Sequence, residues 1–318
     1  MDTLVMAIIV VIGVPAVVCG YILGTEWVLR FAGPTSRAQI RPWLWVAPAF
    51  LFLITFMIYP TIRTFINSLL NARSREFVGI DNYVRLLGRG TFWQTLLNNG
   101  LWIVFFTAIV VGMGLIVAVL TDRVRYETVV KTVIFVPMAI SFVAAGVIWG
   151  FMYNFDPKIG TVNAVIQGVG ADPVPLLLDW PRNTFLLIIV GIWMWVGFAM
   201  IILSAGLKGI SAELLEAARM DGATELQVFF RIILPLLAPT IAVVATTIVI
   251  TALKTFDIVY VMTGGRYGTD VIGTLFYNEK FLNGNNGTSS AVAIILLLAI
   301  IPVMLFNIRR FRAQEAIR

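Results

Sequence analysis

The chain of 318 residues is 59% hydrophobic and only 13% charged, about half the charged share of soluble domains, with a mean hydropathy of +0.93. It contains no histidine, which removes His-based triads, His metal sites and histidine proton relays, and its single cysteine, Cys19, excludes an intramolecular disulfide. The excess of 23 Lys and Arg over 17 Asp and Glu falls on segments beside apolar runs, so it points to a membrane surface and away from nucleic acid.

Apolar runs long enough to cross a bilayer, at about 20 residues each, make this an all-α polytopic membrane protein. The first is Leu4 to Leu23, with Asp2 before it and Arg30, Arg37 and Arg41 after it. That charge bias predicts an outside N-terminus and a cytoplasmic linker. The second run is Trp43 to Ile62. Between Arg63 and Asn99 a polar segment follows, in which Gly79, Asp81 and Asn82 read as a turn and Tyr83 to Leu87 as a short interfacial helix. Its five arginines oppose the positive-inside rule if the segment lies outside. The third run, Gly100 to Leu120, is uncharged, and the connector to Lys131 carries Arg123 and Arg125. The fourth, Thr132 to Tyr153, has Pro137 in its first turns and is expected to kink there. A turn-rich loop, Asn154 to Arg182, precedes the fifth run, Asn183 to Leu207. The sixth is Leu236 to Leu253; a Gly-rich loop, Val261 to Gly287, leads to the seventh, Thr288 to Ile308, and to the basic tail 309–318. These seven spans put the C-terminus in the cytoplasm.

One long polar island, Ser211 to Pro235, interrupts the second half of the chain. Ser211 is placed to cap a short helix, Asp221-Gly222 signals a turn, and Leu226, Phe229, Phe230 and Ile233 fall on an apolar side, with Pro235 at the start of the next helix. Within it Glu216-Ala217-Ala218 is followed three residues later by Gly222 and, after nine more, by Ile232, Leu234 and Pro235. Small Ala217 and Ala218 permit close approach to a groove, Gly222 a left-handed turn, and Glu216 an ion pair or a cap. An ordinary amphipathic re-entry loop is the competing reading.

A second constellation lies in the spans. Thr247, Thr251 and Thr255 share one helix face, with Lys254 beside them and Asp257 one turn on. Two readings stand: contact with a polar solute, or hydroxyls bonded to their own i−4 carbonyls beside a Lys254–Asp257 ion pair. Trp195 and Phe198 are one turn apart on the fifth run, and Trp193 reads equally as packing. Gly264-Gly265 reads as a turn rather than an anion nest.

The spacing EAA-x3-G-x9-I-x-L-P resembles the coupling loop of permease subunits in binding-protein-dependent ABC importers. Tyr59-Pro60, FVGIDNYVRLL (77–87), TFWQTLLNN (91–99), Phe135-Val136-Pro137 with Ser141, and TFDIVYVMTGG (255–265) are similar to the sugar permeases of that family, over roughly residues 43–308. Arg266 stands where the family has proline. The phrase RPWLWVAPAF (41–50) with a helix before it resembles the α-glucoside branch. The resemblance implies a six-helix ABC importer permease core (43–308) with its coupling loop at 206–235, plus one extra N-terminal transmembrane helix and linker (1–42) and a basic cytoplasmic tail. It implies ATPase coupling by Glu216, Ala217, Ala218, Gly222, Leu234 and Pro235. It also places sugar contacts on the fifth and sixth helices, with Trp195 and Phe198 as an aromatic platform and Thr251, Lys254, Thr255 and Asp257 as polar partners. There is no Walker A sequence, so the expected partners are two separate ATPase subunits holding ATP and Mg, a second permease and an extracytoplasmic binding protein. No catalytic residue, metal site or bound cofactor is expected on this chain. The location implied is a bacterial or archaeal inner or plasma membrane. A secondary transporter or channel predicts ionisable groups in mid-span, where only Lys254 and Asp257 come near; an intramembrane enzyme predicts a reactive cluster, and none is found.

Overall fold

Long uncharged stretches rich in Leu, Ile, Val and Ala bond their backbone internally, and helices result. The computed structural model describes residues 3–31, 33–122 and 124–315. The side chains at 3–5, 7–10, 14, 35 and beyond 305 lie outside that description, as do Asp2, Arg123 and residues 316–318. Among the described residues the helices are α1 (Thr3–Leu29), α2 (34–68), α3 (Asp81–Leu87), α4 (Gly90–Thr121), α5 (Glu127–Phe135), α6 (Phe142–Met152), α7 (Thr161–Gly168), α8 (Arg182–Lys208), α9 (Ala212–Met220), α10 (Glu225–Leu253), α11 (Asp257–Thr263), α12 (Ile272–Tyr277) and α13 (Asn286–Glu315). Six of these are long and apolar enough to cross a membrane, or seven with α5 and α6 counted as one bent span.

Contacts divide the chain into residues 1–64 and 65–318. In the first unit, α1 and α2 form a helical hairpin. The expected polar linker shrinks to a short turn, because Pro34 supplies a first helical residue without a needed N–H. Arg41 pairs with Glu26 at 2.6 Å and the Tyr21 hydroxyl donates to the Leu44 carbonyl. Helix α2 contains a wide π turn at Ile54–Ile58.

In the second unit α8 is the axis, buried along more of its length than any other described span. Close approach depends on missing side chains. A Cβ on Gly197 would lie 2.6 Å from the Ile134 carbonyl oxygen, so α5 runs directly against α8 there. Gly114 of α4 approaches Ala199 in the same way. The core between them holds Trp102, Phe106, Leu187, Met194, Met200 and Leu203.

The fourth apolar run is broken outright rather than kinked. Pro137 sits in a 3-10 turn, Val136–Ala139; Ile140 and Ser141 are extended; and the axes of α5 and α6 differ by 97°. Ser141 restarts the helix, its Oγ accepting from the Ala144 N–H at 3.1 Å. Proline alone bends a helix; two extended residues followed by a new cap end it. Three stretches expected as loops also contain helices. TFWQTLLNN opens α4, α7 lies in the turn-rich loop, and α12 lies before the last span. Their polar residues are side-chain caps for neighbouring backbone: Asn163 Nδ2 donates to the carbonyls of Asn154 and Val174, and its Oδ1 accepts from the Val174 N–H.

Replacing Gly197 by valine is expected to force α5 away from α8 and to destabilise the protein by about 1–3 kcal/mol. A lower melting temperature of the detergent-purified protein checks this, and an unchanged one rules out the close α5–α8 seam.

Candidate functional site

The polar face of α10 and the indole of α8 meet at a cavity of about 290 Å³. Trp195, Thr251, Lys254, Thr255 and Asp257 all line it, together with Trp102, Phe106, Phe142, Gly191 and Phe256. Phe198 does not; it lies edge-on to Trp195 with centroids 5.3 Å apart. Phe142, the first residue of α6, stacks on Trp195 instead, at 6.4 Å and 21°. The break at Ile140–Ser141 is what delivers it there. Trp193 packs edge-on to Trp149 outside the cavity.

The threonines satisfy one of the two readings in part. Thr247, Thr251 and Thr255 each donate to the carbonyl four residues back, at 3.0, 2.9 and 3.3 Å. Their donors are used, while the oxygen lone pairs of Thr251 and Thr255 still face the cavity as acceptors. The Lys254–Asp257 ion pair is not formed among the described residues. Helix α10 stops at Leu253, and Asp257 opens α11, where a carboxylate suits the helix N-terminus. The two charges are therefore separate groups on the same cavity, one donor and one acceptor.

Sequence reasoning missed Trp102, Phe106, Phe142, Gly191 and Phe256. Trp102 and Phe106 sit in an uncharged run with nothing to distinguish a cavity wall from a lipid face. Gly191 had a readable clue, since a Gly four residues before Trp195 leaves room on the same face. A Cβ there would lie 2.8 Å from the Trp102 ring.

Above the cavity a neutral network ties α4, α8 and the loop 264–271. Asn98 Nδ2 donates to the carbonyls of Gly268 and Asp270, at 2.7 and 2.8 Å, and its Oδ1 accepts from Trp180 Nε1. Asn99 Oδ1 accepts from the Ile272 N–H, and Asn183 Nδ2 donates to the Tyr267 carbonyl. Asn98 is one helical turn before Trp102, so this network sets where that ring lies. Asp270 is held there by the Thr274 hydroxyl.

The polar island between α8 and α10 is helix, turn, helix. Gly222 has φ +82 and ends α9, with the Ala223 N–H reaching the Ala218 carbonyl at 3.1 Å and the Gly222 N–H the Arg219 carbonyl at 3.0 Å. That is a Schellman end, which needs a residue tolerant of positive φ. The expected Ser211 cap is absent: its Oγ donates to Glu213 Oε2 at 2.9 Å. The working cap is Thr224, which forms a reciprocal capping box with Gln227; the Thr-x-x-Gln spacing was the available signal. Arg219 bridges to Glu225 at 2.7 Å. Glu216 and Ala217 are exposed and Ala218 is half-buried. The expected apolar side is split. Val228, Ile233 and Leu237 are buried, whereas Leu226 and Phe230 face outward at 71% and 59% exposure, beside Met220 at 88%. Helix α10 also begins earlier than expected and passes through Leu234 and Pro235. A π turn at Phe229–Ile233 precedes the proline, whose missing N–H is harmless at that change of pattern.

Residues 110–311 match the family of binding-protein-dependent transport system inner membrane components. The chain belongs to that family: it is a multi-pass membrane component of a binding-protein-dependent transport system, located in the inner membrane. It is 50% identical over 279 residues to the osmoprotective compounds uptake permease protein GgtC of Synechocystis sp., covering 86% of this chain and all of that one. It is 39% identical over 327 residues to the alpha-glucoside transport system permease protein AglF of Rhizobium meliloti, covering 97% of each. Its fold matches a crystal structure of a bacterial ABC transporter that imports the acidic polysaccharide alginate, with TM-score 0.75 and 26% identity over 87% of this chain and 98% of that one.

Asp270 lies between α11 and α12, outside the spans. Burial raises its carboxyl to about 6, opposed by hydrogen bonds from Thr274 and Thr95 and the Val271 N–H, with the Glu279 carboxylate adding to the rise. A carboxyl raised above its unfolded value of about 3.9 holds protons more tightly when folded. Its contribution to stability therefore falls as pH rises from about 4 to about 6, by on the order of 3 kcal/mol. Asp270→Asn is expected to melt higher than the parent protein above about pH 7 and level with it near pH 4. Equal differences at both pH values would show that the carboxylate is solvated.

Proposed function

We propose that this chain is the translocation subunit of an ATP-driven importer for small neutral glycosides. It couples to a separate ATPase through residues 211–235. The exposed hairpin is the observation that carries this reading. Met220, Leu226 and Phe230 stand out from it beside Glu216 and the compact Ala217-Ala218 surface. An apolar group of this size on an otherwise polar island calls for a protein groove to cover it. The motif spacing and the alginate importer's fold support the same reading.

The reading includes two ATPase subunits carrying ATP and Mg, a second permease, and an extracytoplasmic binding protein that delivers the sugar. The N-terminus lies outside and the tail in the cytoplasm. The chain itself carries out no bond chemistry. ATP binding closes the ATPase pair, the hairpin moves with its groove, and the helices alternate access to the cavity. Only contacts that differ between the closed and open ATPase can drive that change.

The cavity supports the substrate class. Trp195 and Phe142 offer aromatic faces to the C–H surface of a sugar ring. Thr251 and Thr255 offer acceptors, Lys254 a donor and Asp257 a charged acceptor for hydroxyls. One cation and one anion leave the lining neutral, which suits a glycoside better than an acidic saccharide or a phosphate ester. The names of GgtC and AglF, osmoprotective compounds and alpha-glucosides, agree with it.

Gly222→Val is expected to reach the membrane normally and to lose sugar-stimulated ATP hydrolysis, because the left-handed turn is strained by about 1–3 kcal/mol with a β-branched residue. Normal stimulation in that variant would overturn the assignment of the hairpin. Trp195→Ala is expected to lower uptake of radiolabelled sucrose or trehalose at limiting concentration roughly tenfold, the equivalent of about 1.4 kcal/mol of aromatic contact. Uptake equal to the parent's removes Trp195 from the path.

A further inference from the structure

Helix α5 joins the base of the hairpin to the α6 wall of the cavity, running alongside α8. Its contacts with α8 repeat along one face of each helix. At its start Glu127 accepts from Lys208, the last residue of α8, at 2.7 Å, and also from Lys131 one turn on. Lys131 in turn donates to the Ser204 hydroxyl, which is buried on α8. At the far end of α5 the backbone of Ile134 and Phe135 lies against Gly197. The positions 127, 131 and 134 on α5, and 208, 204 and 197 on α8, are each spaced to share a face. The helices thus run antiparallel in register, from the hairpin to the break. Immediately beyond the break Phe142 stacks on Trp195 in the cavity.

The side chains of Lys131 and Glu127 are 16% and 24% exposed, and one carboxylate serves two ammonium groups. The Lys131–Glu127 pair, partly shielded from water, holds its geometry better than a surface pair, while Lys208, 55% exposed, joins it from the solvent side. Glycine packing at Gly197 fixes how close α5 lies to α8 but resists sliding weakly, since it has no directional bond. The charges at the other end resist sliding.

We propose that Glu127 is a positioning residue for transport: through Lys208 and Lys131 it locks α5 to the base of the hairpin, so that the cavity wall carrying Phe142 moves together with the hairpin. With the lock released, the end of α8 follows the hairpin while α5 slips, and Phe142 and Trp195 part. ATP is then hydrolysed without sugar being moved. This rests on the proposed role of the hairpin in coupling.

The test uses the assembled transporter in proteoliposomes, with radiolabelled sucrose and trehalose as probes and phosphate release measured in the same vesicles. Glu127→Gln and Lys208→Met are each expected to lower the sugar moved per ATP hydrolysed, by roughly twofold to thirtyfold, the range that residues outside a ligand site exert on coupling. The double variant should be no worse than the poorer single, and Lys208→Arg should keep the parent ratio. A purely structural role predicts a different pattern, in which uptake and hydrolysis fall together and the ratio stays constant. A parent ratio in Glu127→Gln, or single effects that add in the double, overturns the lock. Should Glu127→Gln fail to reach the membrane, the exposed Lys208 decides between lock and structural role through its Met and Arg variants. The two proposals fail separately. If Gly222→Val leaves the parent transporter coupled, the hairpin reading falls and this one with it. If Gly222→Val uncouples but Lys208→Met does not, only the lock falls.

Discussion

The second unit depends on one constraint: α8 must lie against several helices at once. A 27-residue helix that is buried along most of its length leaves little room for side chains at its crossings. Gly191, Gly197 and the Gly114–Ala199 crossing are where that room is made. Each places a different partner. Gly191 admits the Trp102 ring, Gly197 admits the backbone of α5, and Gly114 admits α8 to α4. Without hydrophobic drive between helices in lipid, close van der Waals contact of this kind is the main attraction available. The cavity opens beside the Gly191 crossing, where the rings of Trp102, Phe106, Phe142, Trp195 and Phe256 leave space between them.

The ends of α8 are held by different chemistry. At the start of α8 the buried partners are neutral amides, with Asn183 and Asn98 bonded to loop carbonyls at 2.7 to 2.8 Å beside an exposed Arg182–Asp179 pair. Near Lys208 they are ions, joined through one carboxylate. Neutral amides that satisfy buried carbonyls make a stiff cap, since breaking them leaves polar atoms unpaired. The ion cluster at Lys208 joins α8 to α5 and not to the loops, so it leaves that end of α8 free of the amide cap while keeping the two helices together. The amide end is therefore suited to stay fixed, and the ionic end to move as a unit with α5.

Much of this was legible from sequence, for reasons that can be named. The spans follow from composition alone, and the hairpin follows from motif spacing and from Gly222, whose left-handed φ a turn there requires. Five of the six substrate-side residues fall around one cavity, because helical periodicity places Thr251 and Thr255 together and the end of α10 turns back at Lys254. Phe198 was misplaced because a helix face one turn wide has two edges. Only packing decides which edge meets the cavity and which the core. Ser211 lost its cap to an equally local competitor, Glu213. Leu226 and Phe230 were grouped with Ile233 on one apolar side, but an amphipathic pattern says which residues share a side, not what covers it. Phe142 and Trp102 were invisible: their role comes from a helix break and a glycine crossing, and both are tertiary.

The break at Ile140–Ser141 connects these points. A continuous helix from Glu127 to Met152 would have carried α6 past the cavity along the direction of α5. The 97° change of axis sends α6 across it and sets Phe142 on Trp195. Two extended residues are a poor hinge for transmitting bending, but they do pass on translation, because the chain cannot lengthen beyond about 3.3–3.6 Å per residue. Sliding of α5 along α8 is thus delivered to Phe142, whereas small tilts of α5 are absorbed at the break. That asymmetry makes the axial lock at Glu127, rather than the packing at Gly197, the point at which movement at the hairpin is converted into a change at the cavity.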